Sequence, residues 1–319
     1  MLLSIHPNHS IGFDFRVAEA TEDPQFDDQF PLSHFRDSFQ QIAKRLASYD
    51  TGRTLTIPYE HFGLQQPAPP FPLNVPKAME DGLSNAKYFH ECGRDKKRDL
   101  RFADASCLVR EPSPTGRVHR NKQTQHNLKL AHESLKGILQ SWSEFAGAND
   151  IRWWISHGNL LGWFWNARFL PWDVDLDIQM STFQLIQLIP HNNTLLANRY
   201  LLEVNPAFAH RTPQPGNTID ARVTDTHTGY LMDITALTQF DASDARVHCK
   251  TPHPFRYEEL MPLRETRLEG VTVWRPNRVI SILAEEYRVK SMVEIRFSVG
   301  SRIMYQWHPN QGEWVLKKG

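Results

Sequence analysis

Residues 154–180 read Trp-Ile-Ser-His-Gly-Asn-Leu-Leu-Gly-Trp-Phe-Trp-Asn-Ala-Arg-Phe-Leu-Pro-Trp-Asp-Val-Asp-Leu-Asp-Ile-Gln-Met. Near the end of this stretch Asp173, Asp175 and Asp177 alternate with the apolar Val174, Leu176 and Ile178. Side chains alternate faces along a β-strand, so a strand over residues 170–178 turns all three carboxylates one way and the apolar set into a core. Like charges one strand-step apart repel by on the order of several kcal/mol in partly buried surroundings. A positive group must offset them, and oxygen ligands of this kind suit the hard divalent cations Mg²⁺ and Mn²⁺. Asp233, in Tyr230-Leu-Met-Asp-Ile-Thr, also has apolar neighbours on both sides and is the candidate for a third carboxylate from an adjoining strand. Acids so arranged can hold cations against a nucleoside diphosphate, and the one nearest an acceptor hydroxyl can take its proton.

Upstream, Ser156-His157-Gly158-Asn159 falls between a β-prone run at 151–155 and a helix expected from Leu160 to Trp165. Backbone N–H groups at a helix start favour phosphate, and glycine permits close approach. His157 is a candidate donor to a phosphate oxygen. Asn166 and Arg168 lie between the two motifs. Arg168, and Arg222 from further along, can neutralise phosphate charge or pair with an aspartate. Trp163, Trp165 and Trp172 can stack on a base or sugar, or fill the core.

The chain around this stretch has ordinary globular composition, with 319 residues, 40% hydrophobic and 23% charged. Its net charge of +0 leaves no global field to draw it to nucleic acid or to an acidic membrane. Cys92, Cys107 and Cys249 allow at most one disulfide, and Cys249 with His253 supplies too few ligands for a structural zinc. No run of 18 apolar residues exists, and the first residues lack the basic and apolar regions of a signal peptide. Residues 1–124 read as a loop-rich N-terminal extension, with a helix over 35–46, a proline-rich connector at 66–76, a charge run at 94–101 and a break at 112–116. Residues 125–319 read as the working domain. Leu128, Ala131, Leu135, Ile138, Leu139, Trp142 and Phe145 predict a helix that stops near Gly147. A helix over 183–189, a strand over 200–204, a hairpin of 219–225 with 229–236, and a helix over 279–287 follow.

His157-Gly158, Leu160-Leu161-Gly162, the basic Arg168 and Pro171-Trp-Asp-Val-Asp-Leu-Asp177 together resemble the LicD/fukutin-type family of nucleotidyltransferase-fold phosphotransferases. Gly162-Trp-Phe-Trp-Asn166, Ile219-Asp-Ala-Arg-Val223, Met232-Asp-Ile-Thr235 and Glu259-Leu-Met-Pro-Leu-Arg264 look like its fungal branch. So do Cys249-Lys250 with His253, Pro276-Asn277, and Ile282-Leu283 with Glu286-Tyr287. That branch includes proteins required for adding mannosylphosphate to cell-wall glycans.

The resemblance, over roughly residues 85–295, implies an α+β fold: a polymerase-β-like nucleotidyltransferase core with a small mixed sheet flanked by helices. It implies Asp175 and Asp177 as a metal-binding catalytic pair, Asp233 as the third catalytic and metal-binding carboxylate, and Asp173 as a nearby helper. His157 and Gly158 would form the phosphate-binding turn, and Asn166, Arg168, Trp172 and Arg222 complete the expected substrate-binding set. The implied cofactor is Mg²⁺ or Mn²⁺, the expected donor GDP-mannose, the acceptor a glycan, and the setting the Golgi lumen, where a partner transferase is a further candidate neighbour. Phosphocholine or ribitol phosphate would suit the same site. A transferase of bare sugar, or a non-catalytic glycan-binding or regulatory partner, are the competing readings.

Overall fold

The structure, a computed structural model, describes residues 46–63, 125–211, 218–239, 246–251, 253–299 and 303–317. The helix expected over 35–46 (Leu46 apart), the proline-rich connector, the charge run at 94–101 and the break at 112–116 lie outside the described residues. Strand β1 (Thr54–Leu55) pairs antiparallel with β10 (Leu263–Leu268), which pairs with β11 (Val271–Arg275). Leu46, Ile57 and Phe62 are buried in the same core as the rest of the chain. Residues 46–63, part of the loop-rich N-terminal stretch, therefore pack into the same core as the rest of the described chain. This contact is non-local, so no local pattern announces it.

The main sheet has six strands in the order β2 (Trp153–Ile155), β3 (Leu176–Ser181), β7 (Leu231–Leu237), β6 (Ala221–Asp225), β5 (Tyr200–Val204) and β4 (Thr194–Leu196). Strands β3 and β7 run parallel, and every other neighbouring pair is antiparallel. The sheet is thus mixed, and helices flank it, which is the expected α+β arrangement. Helix α1 (Gln125–Ala148) lies over one face. Its Ala131, Leu135, Ile138, Leu139 and Trp142 are fully buried, and so are Leu176, Ile178, Met232, Ile234 and Val223 on the strands. Because side chains alternate, the opposite face carries Asp177, Gln179, Asp233, Thr235 and Arg222. Helices α2 (His157–Asn166), α3 (Thr182–Gln187), α4 (Tyr257–Leu260), α5 (Val279–Tyr287) and α6 (Lys290–Val293) follow α1 in the chain. Strands β8 (Arg246–His248) and β9 (Pro254–Arg256) form a small ribbon. The C-terminal strands β12 (Arg296–Val299), β13 (Ile303–His308) and β14 (Glu313–Lys317) form a third sheet. Among the described residues no helix is long and apolar enough to cross a membrane.

The hairpin β6–β7 turns at Thr226-His-Thr-Gly, as its sequence predicts, and Asp225 locks it. The Asp225 carboxylate accepts from Arg199 Nε and Nη2 at 2.9 and 2.7 Å, from Thr228 Oγ1 at 2.8 Å, from the His227 amide at 2.9 Å, and from Ser134 of α1. Burial pushes its pKa up, but these donors outweigh burial and hold it below the ordinary value. A depressed native pKa contributes stability that is complete above the unfolded value, about 3.9, and is lost as pH falls through the native one. Asp225→Asn is expected to cost ~2 kcal/mol at pH 7. Urea denaturation at pH 7 and at pH 3 should show the gap between wild type and variant narrowing in acid. A gap that stays constant or widens would contradict this account.

Candidate active site

Parallel pairing of β3 with β7 sets Asp177 directly beside Asp233. Neighbouring strands lie about 4.8 Å apart, so the two carboxylates are adjacent on the face away from α1. Asp173 and Asp175 do not lie on this strand. Strand β3 begins only at Leu176, which corrects the expectation of three acids alternating along one strand. The reason is turn chemistry. The Asp173 amide donates to Leu170 O at 2.9 Å, closing a turn around Pro171, and the Asp175 amide donates to Asp173 Oδ1 at 3.4 Å. Asn159, buried in α2, then stitches the strand entry. Its Oδ1 accepts from the Asp177 amide at 2.5 Å and its Nδ2 donates to Asp175 O at 3.4 Å. Asp175 is consequently exposed at the mouth, while Asp177 is mostly covered.

The electrostatics are lopsided. Burial pushes the Asp177 carboxyl up to about 7; His157 pulls it down, but Asp233, Asp175 and Asp173 add to the upward push. Arg222, on β6 directly opposite Asp233 of β7, grips that carboxylate with Nε at 2.7 Å and Nη2 at 3.2 Å. One cationic side chain thus braces one acid, and the charge on Asp177 is left poorly offset.

The Ser156–Asn159 turn sits beside this pair. The Ser156 amide donates to Asp177 O at 3.2 Å. His157 adopts a left-handed φ of 50°. A Cβ on Gly158 would collide with the Asp173 carboxylate, so glycine is what lets that acid approach the turn. His157 Nδ1 lies 3.2 Å from Glu286 Oε1, and its Nε2 lies 3.4 Å from Gln179 Nε2. Its ring centroid is 5.4 Å from that of His253. Burial lowers the His157 pKa, but Glu286 and then Asp177 outweigh burial, and the net direction is upward. His253 Nδ1 in turn lies 3.6 Å from Cys249 Sγ and 3.0 Å from Thr251 Oγ1.

His157, Gly158, Arg222, Asp177 and Asp233 are therefore brought together, with Asp175 at the rim. Three of the expected substrate-binding residues are not. Asn166 Nδ2 donates to Gly312 O at 3.1 Å and Arg168 Nη1 donates to Glu313 Oε1 at 2.9 Å. Both face the β13–β14 turn, because α2 carries them about 15 Å along its axis from His157. Trp172 stacks on Phe297 at 4.2 Å between centroids, with Tyr305 and Trp314 beside it. Trp163 and Trp165 are core residues, 2% and 3% exposed. Sequence reasoning missed Asn159, Glu286 and Tyr287 as site residues. A signal for Glu286 existed: Val279, Ile282 and Leu283 set a helical apolar face, and 286 continues it with an acid.

The residues fit a divalent cation. Among the described residues no three acidic, histidine or cysteine side chains form a ready-made cage. Mg²⁺, however, is bound through one or two carboxylates plus substrate phosphates more often than by an all-protein cage. Two in-register carboxylates, one pushed upward in pKa by burial and like charges, supply that kind of donor set.

A mixed sheet presenting paired acids beside a glycine turn is a nucleotidyltransferase-like arrangement. Residues 150–278 match the family model described as LicD/FKTN/FKRP, nucleotidyltransferase domain. The chain is 31% identical over 172 residues to Mannosyltransferase regulator 4 of Saccharomyces cerevisiae, a match covering 49% of this chain and 13% of that protein. It is 34% identical over 113 residues to Mannosyltransferase regulator 14 of the same yeast, covering 33% of this chain and 12% of that protein. The matches thus take in about an eighth of each relative's length. Glu286 and Tyr287 lie beyond the segment matched by the family model.

Proposed function

We propose that this domain transfers a sugar phosphate, mannose phosphate from GDP-mannose, onto a glycan hydroxyl in glycoprotein or cell-wall glycan modification within the secretory pathway. The observation that carries this reading is the Asp177–Asp233 pair on parallel strands, with more negative charge than Arg222 offsets. Asp177, Asp233 and, from the rim, Asp175 would hold Mg²⁺ or Mn²⁺. A cation there would supply positive charge against a pyrophosphate. The chain's own residues do the rest. His157, whose pKa is raised, offers positive charge and an N–H to a phosphate oxygen, and Gly158 keeps the turn open. Arg222 keeps the Asp233 carboxylate oriented. The names of the yeast relatives fit mannose chemistry.

The test is to incubate the pure chain with several nucleotide donors and Mn²⁺ and identify the released nucleotide by mass. GMP from GDP-mannose is the expected product. GDP would mean transfer of the bare sugar and would overturn the phosphate assignment; CMP from CDP-choline or CDP-ribitol would reassign the transferred group. A second reading, a regulatory partner of a transferase, is favoured by the word "regulator" in both relatives' names. It predicts no GDP-mannose binding by calorimetry under any metal condition.

A further inference from the structure

Asn166 and Arg168, placed away from the acid pair, help line a cavity of about 400 Å³ at the far end of α2. Tyr49 lines it from the N-terminal segment, and Asn310, Gln311 and Glu313 line it from the β13–β14 hairpin. Three stretches far apart in sequence thus converge on one hollow. Its walls are held from below. Trp165, the residue before Asn166, packs on Trp307 and Trp314 with ring centroids 4.9 and 4.8 Å away, which docks the hairpin on α2. The chain leaves α2 through Ala167, in the left-handed region at φ 55°. Ala167 O accepts from the Glu269 amide at 2.9 Å, and the Phe169 amide donates to Glu269 Oε1 at 2.8 Å.

The cavity has the size of a small-molecule site, ~300–1,000 Å³, but such sites are mostly apolar and this one is not. Its lining offers planar amides, a guanidinium, a carboxylate and a phenol. Every hydroxyl of a carbohydrate both donates and accepts, so a site for one must supply both roles, and an amide does so from a single side chain. Docking the hairpin uses Asn166 Nδ2, on Gly312 O at 3.1 Å, and Arg168 Nη1, on Glu313 Oε1 at 2.9 Å. Among the described residues no hydrogen bond engages the Asn166 carbonyl oxygen, the other Arg168 donors or the second Glu313 oxygen. The one cation and the one anion of the lining pair with each other, so the hollow carries no net charge to select a phosphate or a metal ion. That balance suits a neutral ligand rich in hydroxyls.

We propose that this cavity binds a neutral oligosaccharide and anchors the acceptor glycan at a site distinct from the acid pair. The choice of a mannose glycan rests on the reading above, whereas occupation of the cavity requires no turnover. The inference therefore holds for a transferase and for a regulatory partner alike. Helix α2 sets the cavity about 15 Å from His157, a separation that only a chain of several sugars covers.

The test is an NMR titration of the isotope-labelled 319-residue chain with linear α-mannotetraose, read at the side-chain amides of Asn166, Asn310 and Gln311. These signals are expected to shift together and to saturate. Arg168→Ala should weaken the tetraose ~10-fold, the worth of one hydrogen bond to a charged group. Its melting temperature should stay close to wild type, because an exposed ion pair carries little stability. Should that variant fail to fold, Gln311→Ala, on the exposed turn, takes its place with the same expectation. Asp177→Asn should give wild-type shifts at these amides, and GDP-mannose should leave them unmoved. Amides that the tetraose does not move, or Arg168→Ala binding as tightly as wild type, overturn the proposal. So does loss of the shifts in Asp177→Asn, which would put the glycan at the acids, or a shift caused by GDP-mannose, which would make the cavity a donor site. Nucleotide release, measured alongside, separates this inference from the transferase reading. Tetraose shifts without GMP release support the cavity and refute the transferase; GMP release with unmoved amides refutes the cavity alone.

Discussion

Asp177→Asn is expected to abolish sugar-phosphate transfer while leaving the chain folded, and in metal-free buffer above pH 7 more stable than wild type. The two effects share a cause. Asp177 occupies the β3 position beside Asp233, where burial and the neighbouring acids hold its pKa at about 7. An acid whose native pKa exceeds its unfolded value binds its proton more tightly when folded. Without a cation, native stability therefore falls as pH rises from about 4 toward 7 and stays reduced above that. Asparagine carries no charge to repel, so the variant is relieved of on the order of a few kcal/mol at pH 8 and gains nothing near pH 4. Activity should fall ~10³-fold or more, equivalent to about 4 kcal/mol of transition-state stabilisation. Urea denaturation in EDTA at pH 4 and pH 8, beside the nucleotide-release assay, checks both. A fully active variant sinks the catalytic assignment, and one destabilised at pH 8 sinks the electrostatic account.

Asp220→Ala should produce the largest loss of stability. Asp220, just before β6, is fully buried and is held between two cations, Arg211 Nη1 at 2.8 Å and Lys250 Nζ at 2.9 Å. Its second oxygen accepts from the Ala236 amide at 2.8 Å. Burial alone would raise its pKa, but Arg211, Lys250 and that amide reverse the direction. The two cations also reach backbone carbonyls, Arg211 to Ala236 and Lys250 to Ala207. Removing the carboxylate strands two buried positive groups with no anion between them. That loss costs ~3–5 kcal/mol, or roughly 10 °C in melting temperature for a domain of this size. Asp220→Asn, which keeps hydrogen-bonding capacity but loses the charge, should fall between wild type and Asp220→Ala. Thermal melts of the three proteins decide it, and a drop of only a degree or two for Asp220→Ala would show that the triad carries little of the fold.

Where local pattern and local geometry agree, the elements were readable. Helix α1 follows its apolar spacing and ends at Ala148, beside the glycine that marks the stop. Strand β5 runs over Tyr200–Val204, as its residues suggest, and the hairpin turns where Thr-His-Thr-Gly sits. Alternation misled at residues 173–175. It reports only side-chain period, whereas Pro171 and the Asn159 hydrogen bonds determine where β3 begins. Arg168 lies nine residues before Asp177 yet serves another surface, because α2, which ends at Asn166, delivers it beside β14. Arg222 could have met a phosphate or an aspartate, and strand register decides for Asp233.

The amino-acid sequence by itself determined helices α1 and α5, strand β5 and the β6–β7 hairpin, and which acids have apolar neighbours. Those properties depend on residues a few positions apart and on the periods of 3.6 and 2 that the backbone imposes. Only the tertiary structure decided that Asp177 meets Asp233, that residues 46–63 join the core, and that Glu286 reaches His157. Each of these contacts closes a long loop, and its partners are selected by how strands pair and helices pack, which no local window of sequence records.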